Sequence, residues 1–261
     1  MSKSSSPRQL VTKVDPFNPN EVALFRDHEA VRFLQVKYGD SHWLLDNPID
    51  DLVGPNQQLI LVDWEDGTKL KHRDPDDVVQ RCLELEPYID YVWLGDRWTY
   101  EDKMTPRENR KQINTSIELQ RFYGEYFEEY SVDFEYNPML LGWKPWHLRR
   151  FDNLLNDFGG TLVGFDATGY RSKSRLRKDL NIALSTLDIQ GIYVNGRIGP
   201  THLAYLPNEV RAFSGKNQII KKVRLGPCEY SRDLLTDEIE KRIRAFESPQ
   251  AELGEFGSAT S

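Results

Sequence analysis

The chain is poor in cysteine, in long apolar runs and in excess basic charge, and each shortage excludes a class of protein. Only two cysteines, Cys82 and Cys228, occur in 261 residues, so neither a disulfide framework nor a four-cysteine zinc site can form. No run of about 18 consecutive apolar residues is present, which argues against a membrane span and predicts a cytoplasmic protein. The formal net charge of −7 argues against a generally basic coat for nucleic acid.

A repeated alternation of two patterns is what the sequence does contain. Apolar runs at 139–143, 161–166 and 191–195 alternate with segments at 148–158 and 174–187 whose apolar residues recur at helical spacing. Strands separated by helices of this length pair in parallel through right-handed crossovers. This central stretch therefore predicts consecutive β/α units.

The same alternation extends to both sides of the central stretch. Buried-strand patterns begin at Gln58 and Tyr91, and weaker candidates cover 31–36 and 219–225. Helices are predicted after Asp74, from Thr105 to about Tyr126, and over 201–213, the second of these with a capping box of Thr105 and Glu108. The number of units favours a (β/α) barrel-like α/β fold, incomplete or elaborated, over the alternative of an open parallel sheet.

The domain organisation is predicted from composition. Residues 20–247 combine aromatic and charged residues in globular proportions and are expected to form one barrel-like domain. Residues 1–19 are polar with a serine run and predict a flexible arm, and residues 248–261 predict a disordered tail.

Carboxylates stand at or near the ends of several predicted strands. Asp63 and Asp96 each follow an apolar run closely, and Glu65, Glu135 and Asp166 lie near such ends as well. Ligands collect at the carboxyl ends of parallel strands, and converging carboxylates raise one another's pKa. We therefore predict Asp63 and Asp96 as catalytic acid–base residues, although helix capping and loop solvation are the ordinary roles of such acids.

Two further groups of residues surround the same strand ends. Predicted substrate-binding residues are Gly142, Trp143, Asp166, Gly169, Arg197 and Gly199. A cationic cluster suited to phosphate groups comprises Arg171, Lys173, Arg175, Arg177 and Lys178. Loop-forming glycines, aromatic core packing and a solvated helix face are the alternative interpretations of these residues.

Five strand ends, taken in order, carry a resemblance to a known family. They are LVDWEDG (61–67), LGDRW (94–98), LGW (141–143), GFDATG (164–169) and NGRIGP (195–200). This order resembles the tRNA-guanine transglycosylase family and its relatives that insert deazapurines into DNA. The family's corresponding elements are an Asp-Ser-Gly strand end, a base-recognising Asp before a long helix, a Gln-Gly strand end, a Gly-rich turn and a Gly-x-Gly-x-Pro run.

The resemblance spans residues 58–213, matches no motif in full, and implies a function. It implies base exchange at a glycosidic bond of tRNA or DNA, with a purine-like base of the 7-deazaguanine type and no cofactor. Asp63 would then act as acid or base, Asp96 would read the base, and Gly142 and Gly169 would allow close approach of the backbone. The family's zinc-binding cysteines are absent, and RAFSG (211–215) stands where its nucleophilic Asp is expected.

Two alternatives stay open at this point. In the first, Asp133 and Glu135 join Asp166 around Mg²⁺ in a nuclease or phosphohydrolase. In the second, a degenerate barrel binds nucleic acid without turnover and therefore needs no nucleophile. A homodimer is compatible with either alternative.

Overall fold

The computed structural model of the protein describes residues 9–65, 67–99, 103–158 and 162–247, and in this part of the chain nine strands form one parallel sheet. The strands are β1 (Gln9–Lys13), β2 (Phe33–Lys37), β3 (Gln58–Val62), β4 (Tyr91–Trp93), β5 (Glu135–Asn137), β6 (Met139–Leu140), β7 (Leu162–Asp166), β8 (Gly191–Asn195) and β9 (Val210–Gly215). Their order across the sheet is β5-β4-β3-β2-β1-β9-β8-β7-β6.

The two edges of this sheet belong to one segment of chain. β5 and β6 flank Pro138; β5 pairs with β4, and β6 pairs with β7 on the other side. Proline has no N–H to contribute to a ladder, which divides one extended run into two short strands. The backbone carbonyl of Pro138 still accepts a hydrogen bond from the N–H of Gly164 at 2.8 Å. The sheet therefore curves into a barrel, as predicted, and the open-sheet alternative is not adopted.

Helices connect the successive strands other than β5 and β6 and surround the barrel. They are α1 (Pro19–Phe25), α2 (His42–Asp46), α3 (Gly67–Lys71), α4 (Pro75–Leu85), α5 (Pro106–Tyr130), α6 (Pro145–Leu148), α7 (Asp152–Phe158), α8 (Lys173–Thr186), α9 (Pro200–Leu203), α10 (Asn217–Val223) and α11 (Arg232–Glu247). The predicted caps are confirmed: the Asp74 carboxylate accepts the N–H of Asp76, and Thr105 and Glu108 form a capping box. No helix of the described ranges is long and apolar enough to cross a membrane.

The predicted N-terminal arm is wrong from residue 9 onward. Gln9–Lys13 is the strand β1, paired with β2 on one side and β9 on the other. This strand is hard to recognise by hydropathy because it contains polar residues. One of them, Thr12, is nevertheless fully buried in the sheet. Residues 1–8 and the predicted tail at 248–261 lie outside the described residues, as does the glycine pair at 159–160.

Two predictions near the C-terminus are also wrong. The helix predicted over 201–213 ends at Leu203, and Val210–Gly215 is the strand β9. The strand predicted over 219–225 is the helix α10, in which Ile219 and Val223, four residues apart, are buried. Spacing of four residues fits one face of a helix, whereas a strand would bury alternate residues. Short segments of mixed polarity satisfy both patterns, and tertiary pairing decides between them.

Aromatic side chains fill the barrel interior. The rings of Trp64 and Trp93 lie 5.1 and 4.8 Å from that of Tyr193, and the Tyr193 hydroxyl donates to the side chain of Gln35. Gly164 makes room for them, since a Cβ atom there would lie 2.8 Å from Trp93 Cδ1 and 3.0 Å from Trp64 Cζ2. These residues form the floor beneath the carboxyl ends of the strands.

Candidate functional site

The carboxyl ends of the strands form one end of the barrel, which we call the mouth. Alternation along each strand shows which side chains face it. Gly164 faces the interior because it contacts the indoles of the floor, so Asp166, two residues later, faces the interior as well. Tyr193 and Gln35 likewise place Asn195 and Lys37 on the interior face.

Asp63 lies directly after β3 and is only 3% exposed. Its carboxylate accepts the backbone N–H of Gly95 at 2.8 Å and that of Asp96 at 3.1 Å. Arg73 lies 3.7 Å from the same carboxylate. Burial raises the pKa of Asp63 to about 6, against the lowering effects of Arg73 and the two N–H donors. Asp63 therefore holds the turn after β4 in place.

Arg73 extends this network, and sequence reasoning did not identify it. Its guanidinium forms an ion pair with Glu65 and lies 4.3 Å from the ring centroid of Tyr38. Arg73 comes from the loop between α3 and α4, where no local pattern distinguishes a buried arginine from an exposed one. Arg73 thereby connects Glu65 to Asp63.

The turn after β4 depends on a glycine and on two side chains of α5. Gly95 adopts φ +96°, a conformation that is energetically unfavourable for a residue with a side chain. Ser116 donates to the Gly95 carbonyl, and Gln120 exchanges two hydrogen bonds with the backbone of Met139, at 2.8 and 2.9 Å. Gln120 also donates to the Ser116 hydroxyl at 2.8 Å, so the two side chains together link the turn after β4 to β6.

Asp96 is half-buried at the mouth and differs from Asp63 in its surroundings. Burial raises the pKa of Asp96 well above its ordinary value, and the charges of Asp63 and Asp166 raise it further. Asp63 receives two N–H donors and an arginine, so it is the member of this pair that ionises first. The arrangement sets a carboxylate, Asp63, beside a carboxyl group, Asp96, that retains its proton to higher pH.

Asp166, at the end of β7, is an exposed carboxylate held in a fixed orientation. It accepts the N–H of Thr168 at 3.1 Å, the Thr168 hydroxyl at 2.8 Å and the Asn195 amide at 2.7 Å. Asn195 in turn accepts the hydroxyl of Ser214 at 3.1 Å. The charge of Asp166 raises the pKa of Asp96, as that of Asp63 does. The predicted acids at the ends of β3, β4 and β7 therefore interact electrostatically. We call Asp63, Asp96 and Asp166 the acidic half of the mouth; Asp166 faces the interior, whereas Asp63 supports the Asp96 turn from the outer face of β3, because the next residue, Trp64, faces the interior.

Three lysines lie on the other side of the mouth, and the sequence analysis did not single them out. Lys13 ends β1, Lys37 ends β2, and Lys216 follows β9. Lys216 forms an ion pair with Glu21 at 2.6 Å. We call these residues the lysine half of the mouth. Their strands are neighbours in the sheet, a relation that becomes visible only once β1 and β9 are placed.

The predicted substrate-binding glycines have different surroundings. Gly142 has φ +90°, and a Cβ atom there would lie 2.5 Å from His147 Nδ1, so it permits a tight turn in which the Trp143 N–H donates to His147. Gly199 caps α9. Gly169 has open space around it, with nothing within 4 Å of a Cβ position. Only Gly169 has the room that approach of a ligand requires.

Arg197 lies on the loop after β8, and the cationic cluster covers the end of the loop after β7 and the start of α8. Arg197 has φ +57°, an uncommon conformation for a residue other than glycine. Arg171 precedes α8, and Lys173, Arg175, Arg177 and Lys178 lie in its first turns. Lys173 lies 4.2 Å from the ring centroid of Tyr205. Arg177, Lys178 and Tyr205 line a surface groove of about 540 Å³.

The residues of the magnesium alternative do not converge. Glu135 is the first residue of β5, whereas Asp166 is the last residue of β7. Because both strands run in the same direction, Asp133 and Glu135 lie at the opposite end of the barrel from Asp166. That ligand set is therefore wrong. Within the described ranges, no group of three or more His, Cys, Asp or Glu side chains could hold a metal ion.

Comparison with protein-family models and with curated proteins finds no match to this chain.

Proposed function

We propose that this chain binds a purine-like base at the mouth of the barrel and breaks and re-forms its glycosidic bond within tRNA or DNA. The observation that carries the proposal is the acidic half of the mouth, where Asp96, a carboxyl of raised pKa, lies beside the buried carboxylate of Asp63. Two neighbouring carboxyls with different protonation are what acid–base chemistry on a base requires. The resemblance to the transglycosylase family points to the same chemistry.

Each member of the acidic half has a distinct role in this proposal. Asp96 donates a proton to the departing base and accepts it from the incoming one. Asp63 stays ionised and positions Asp96 through the N–H groups of the β4 turn. Asp166, exposed and oriented by three donors, faces the positive charge that develops on the sugar. Asp63, predicted from the sequence as the acid or base, thus becomes a positioning residue.

The nucleic acid would lie along the loops of the same end of the barrel. A base inside a duplex cannot reach a barrel mouth, so the target nucleotide must be extruded or single-stranded. Arg177 and Lys178, with the ring of Tyr205, supply cations and an aromatic surface for the flanking backbone and bases. Trp143 is half-buried beside the mouth, where a base could stack on its ring.

A second candidate, binding without turnover, is favoured by one observation. The end of β9, where the resemblance leads one to expect a nucleophilic carboxylate, carries Ser214, whose hydroxyl is buried and donates to Asn195. A barrel that lacks its nucleophile could hold a base without exchanging it.

Base exchange distinguishes the two candidates. Purified protein is incubated with tRNA or duplex DNA and labelled guanine or 7-deazaguanine, with and without EDTA. We expect label to enter one polymer, and we expect Asp96→Asn to lower the rate by about 10²–10⁴-fold. Asp188→Asn, at an exposed loop position remote from the mouth, is the matched control and should leave the rate unchanged. Polymer binding without label incorporation would favour the second candidate.

A further inference from the structure

Lys13 lies in the mouth, and the proposed function described above assigns it no role. It is the last residue of β1, its Cα lies opposite Gln35 of β2, and the preceding residue pairs with Gly215 of β9. Gln35 belongs to the aromatic floor through its contact with Tyr193. Lys13 therefore stands directly above that floor, between the ends of β2 and β9.

The Lys13 side chain lies on the interior face of the barrel, as that of its partner Gln35 does. Its charge interacts with that of Asp166, although β9 and β8 separate β1 from β7 in the sheet. Because two strands separate Lys13 from Asp166 around the barrel wall, the two side chains interact through the barrel interior, which Asp166 faces. Asp166 acts on Asp96 as well. Lys13, Asp166 and Asp96 therefore surround the same space.

Several charged groups face the Lys13 amine. Burial lowers the pKa of Lys13 from 10.5 to about 8; Asp166 raises it, and Lys37 and Lys216 lower it further. Lys216 is itself paired with Glu21 of α1. A desolvated lysine next to other cations is the standard means of obtaining a neutral, nucleophilic amine.

The end of β9 offers no carboxylate for attack on a sugar carbon. Ser214 is fully buried and is engaged with Asn195, and Gly215 has no functional side chain. Across the β1–β9 pair, Val11 lies opposite Ser214 and Thr12 opposite Gly215, so Lys13 is the next residue of β1 beyond them. An amine thus lies beside the place where the nucleophile is missing.

We propose that Lys13 is the catalytic nucleophile of this barrel and that its amine forms a covalent bond with the C1′ atom of the target sugar. This inference rests on the proposed function, because it supplies the nucleophile that base exchange needs. The substrate class is a nucleoside within a nucleic-acid strand, and the same amine would also react with the free aldehyde of an abasic sugar.

The step balances without an added redox agent. The neutral Lys13 nitrogen uses its lone pair to form the N–C1′ bond, while the C1′–base bond breaks and its electron pair leaves with the base. Asp96 protonates the departing base, and the Asp166 carboxylate accepts a proton from the alkylated Lys13 nitrogen. The C1′–O4′ bond then opens, O4′ takes up a proton, and C1′ and the nitrogen are joined as a protonated imine. In the reverse direction, O4′ loses its proton and re-forms the C1′–O4′ bond, the protonated Asp166 returns a proton to the Lys13 nitrogen, and the incoming base displaces that nitrogen from C1′ as Asp96 accepts the proton of the base.

Borohydride trapping tests the proposal, because it reduces an imine to a stable amine. The wild-type protein is incubated with labelled tRNA or DNA, and separately with a DNA strand that carries an abasic site, in the presence of sodium borohydride. We expect a cross-linked product in both arms, and peptide mass spectrometry should place the sugar on Lys13. This mapping uses the unmodified protein and does not depend on a variant that folds.

Two variants complete the test. Lys13→Arg keeps the positive charge but loses the amine, and trapping should fall by on the order of 10³-fold or more. Lys221→Arg, on the exposed face of α10 outside the barrel, should trap as the wild type does. Absence of a cross-link in both arms, or a sugar mapped to another lysine, would overturn the proposal even if label exchange is observed. A Lys13 adduct in the abasic arm without any label exchange would uphold the nucleophile and refute base exchange.

Discussion

The two halves of the mouth differ in how their charges are held. In the acidic half, Asp63 is fixed by two backbone N–H groups and Arg73, and Asp166 is fixed by three donors. In the lysine half, Lys216 has a partner at short range, Glu21, while Lys37 is exposed at the end of its strand. The carboxylates of Asp63 and Asp166 are therefore each held by several donors, whereas Lys216 is held by one short ion pair. We therefore expect substitutions in the acidic half to cost more stability than substitutions in the lysine half.

The largest effect is expected from Asp63→Ala. The substitution leaves Arg73 without one of its two carboxylates and leaves the N–H groups of Gly95 and Asp96 without their acceptor. Removal of one partner from a buried charged network typically costs about 3–5 kcal/mol in free energy of unfolding, measurable by urea denaturation. Asp63→Asn, which keeps an acceptor oxygen, should cost less.

Lys13→Met provides the matched comparison from the lysine half. It removes a cation whose ionised form is disfavoured by burial, so the free energy of unfolding should change little or rise. Equal losses in Asp63→Ala and Lys13→Met would contradict the division between the two halves.

A smaller loss is expected at the floor that both halves share. In Gly164→Ala the new methyl group would lie 2.8 Å from Trp93 Cδ1 and 3.0 Å from Trp64 Cζ2. Overpacking of this kind typically costs about 1–3 kcal/mol. Gly169→Ala adds the same atom where nothing lies within 4 Å and should leave the melting temperature unchanged. If both variants melt alike, the indoles do not pack against Gly164 as described.

Much of the fold could be predicted from local pattern. The strands β3, β4, β7 and β8 are short apolar runs, and the starts of α4 and α5 carry capping residues that need no tertiary contact to be recognised. The acids at those strand ends could be found for the same reason, because each one follows a run that already stands out.

The remaining features depend on contacts between distant segments. β1 contains the polar residues Gln9, Thr12 and Lys13, and it forms a strand because it pairs with β2 on one side and β9 on the other. Since β1 was not predicted, the lysine half of the mouth could not be assembled from sequence. Arg73 and Gln120 act through backbone groups and side chains far away in the chain, and no spacing rule identifies such residues.

The central claim is that the mouth contains aspartates of raised pKa, one of which keeps its proton beside the ionised Asp63. A ¹³C NMR titration of protein labelled at the aspartate carboxyl carbons measures this directly. We expect one carboxyl to titrate near pH 6 and a second, assigned by its absence in Asp96→Asn, to titrate well above the ordinary aspartate value of about 3.9. Because a raised aspartate pKa means that the folded chain binds more protons than the unfolded chain, the free energy of unfolding should also fall as pH rises from about 4 through 6. Titration of every aspartate near pH 4, in a folded protein of pH-independent stability over that range, would contradict the account.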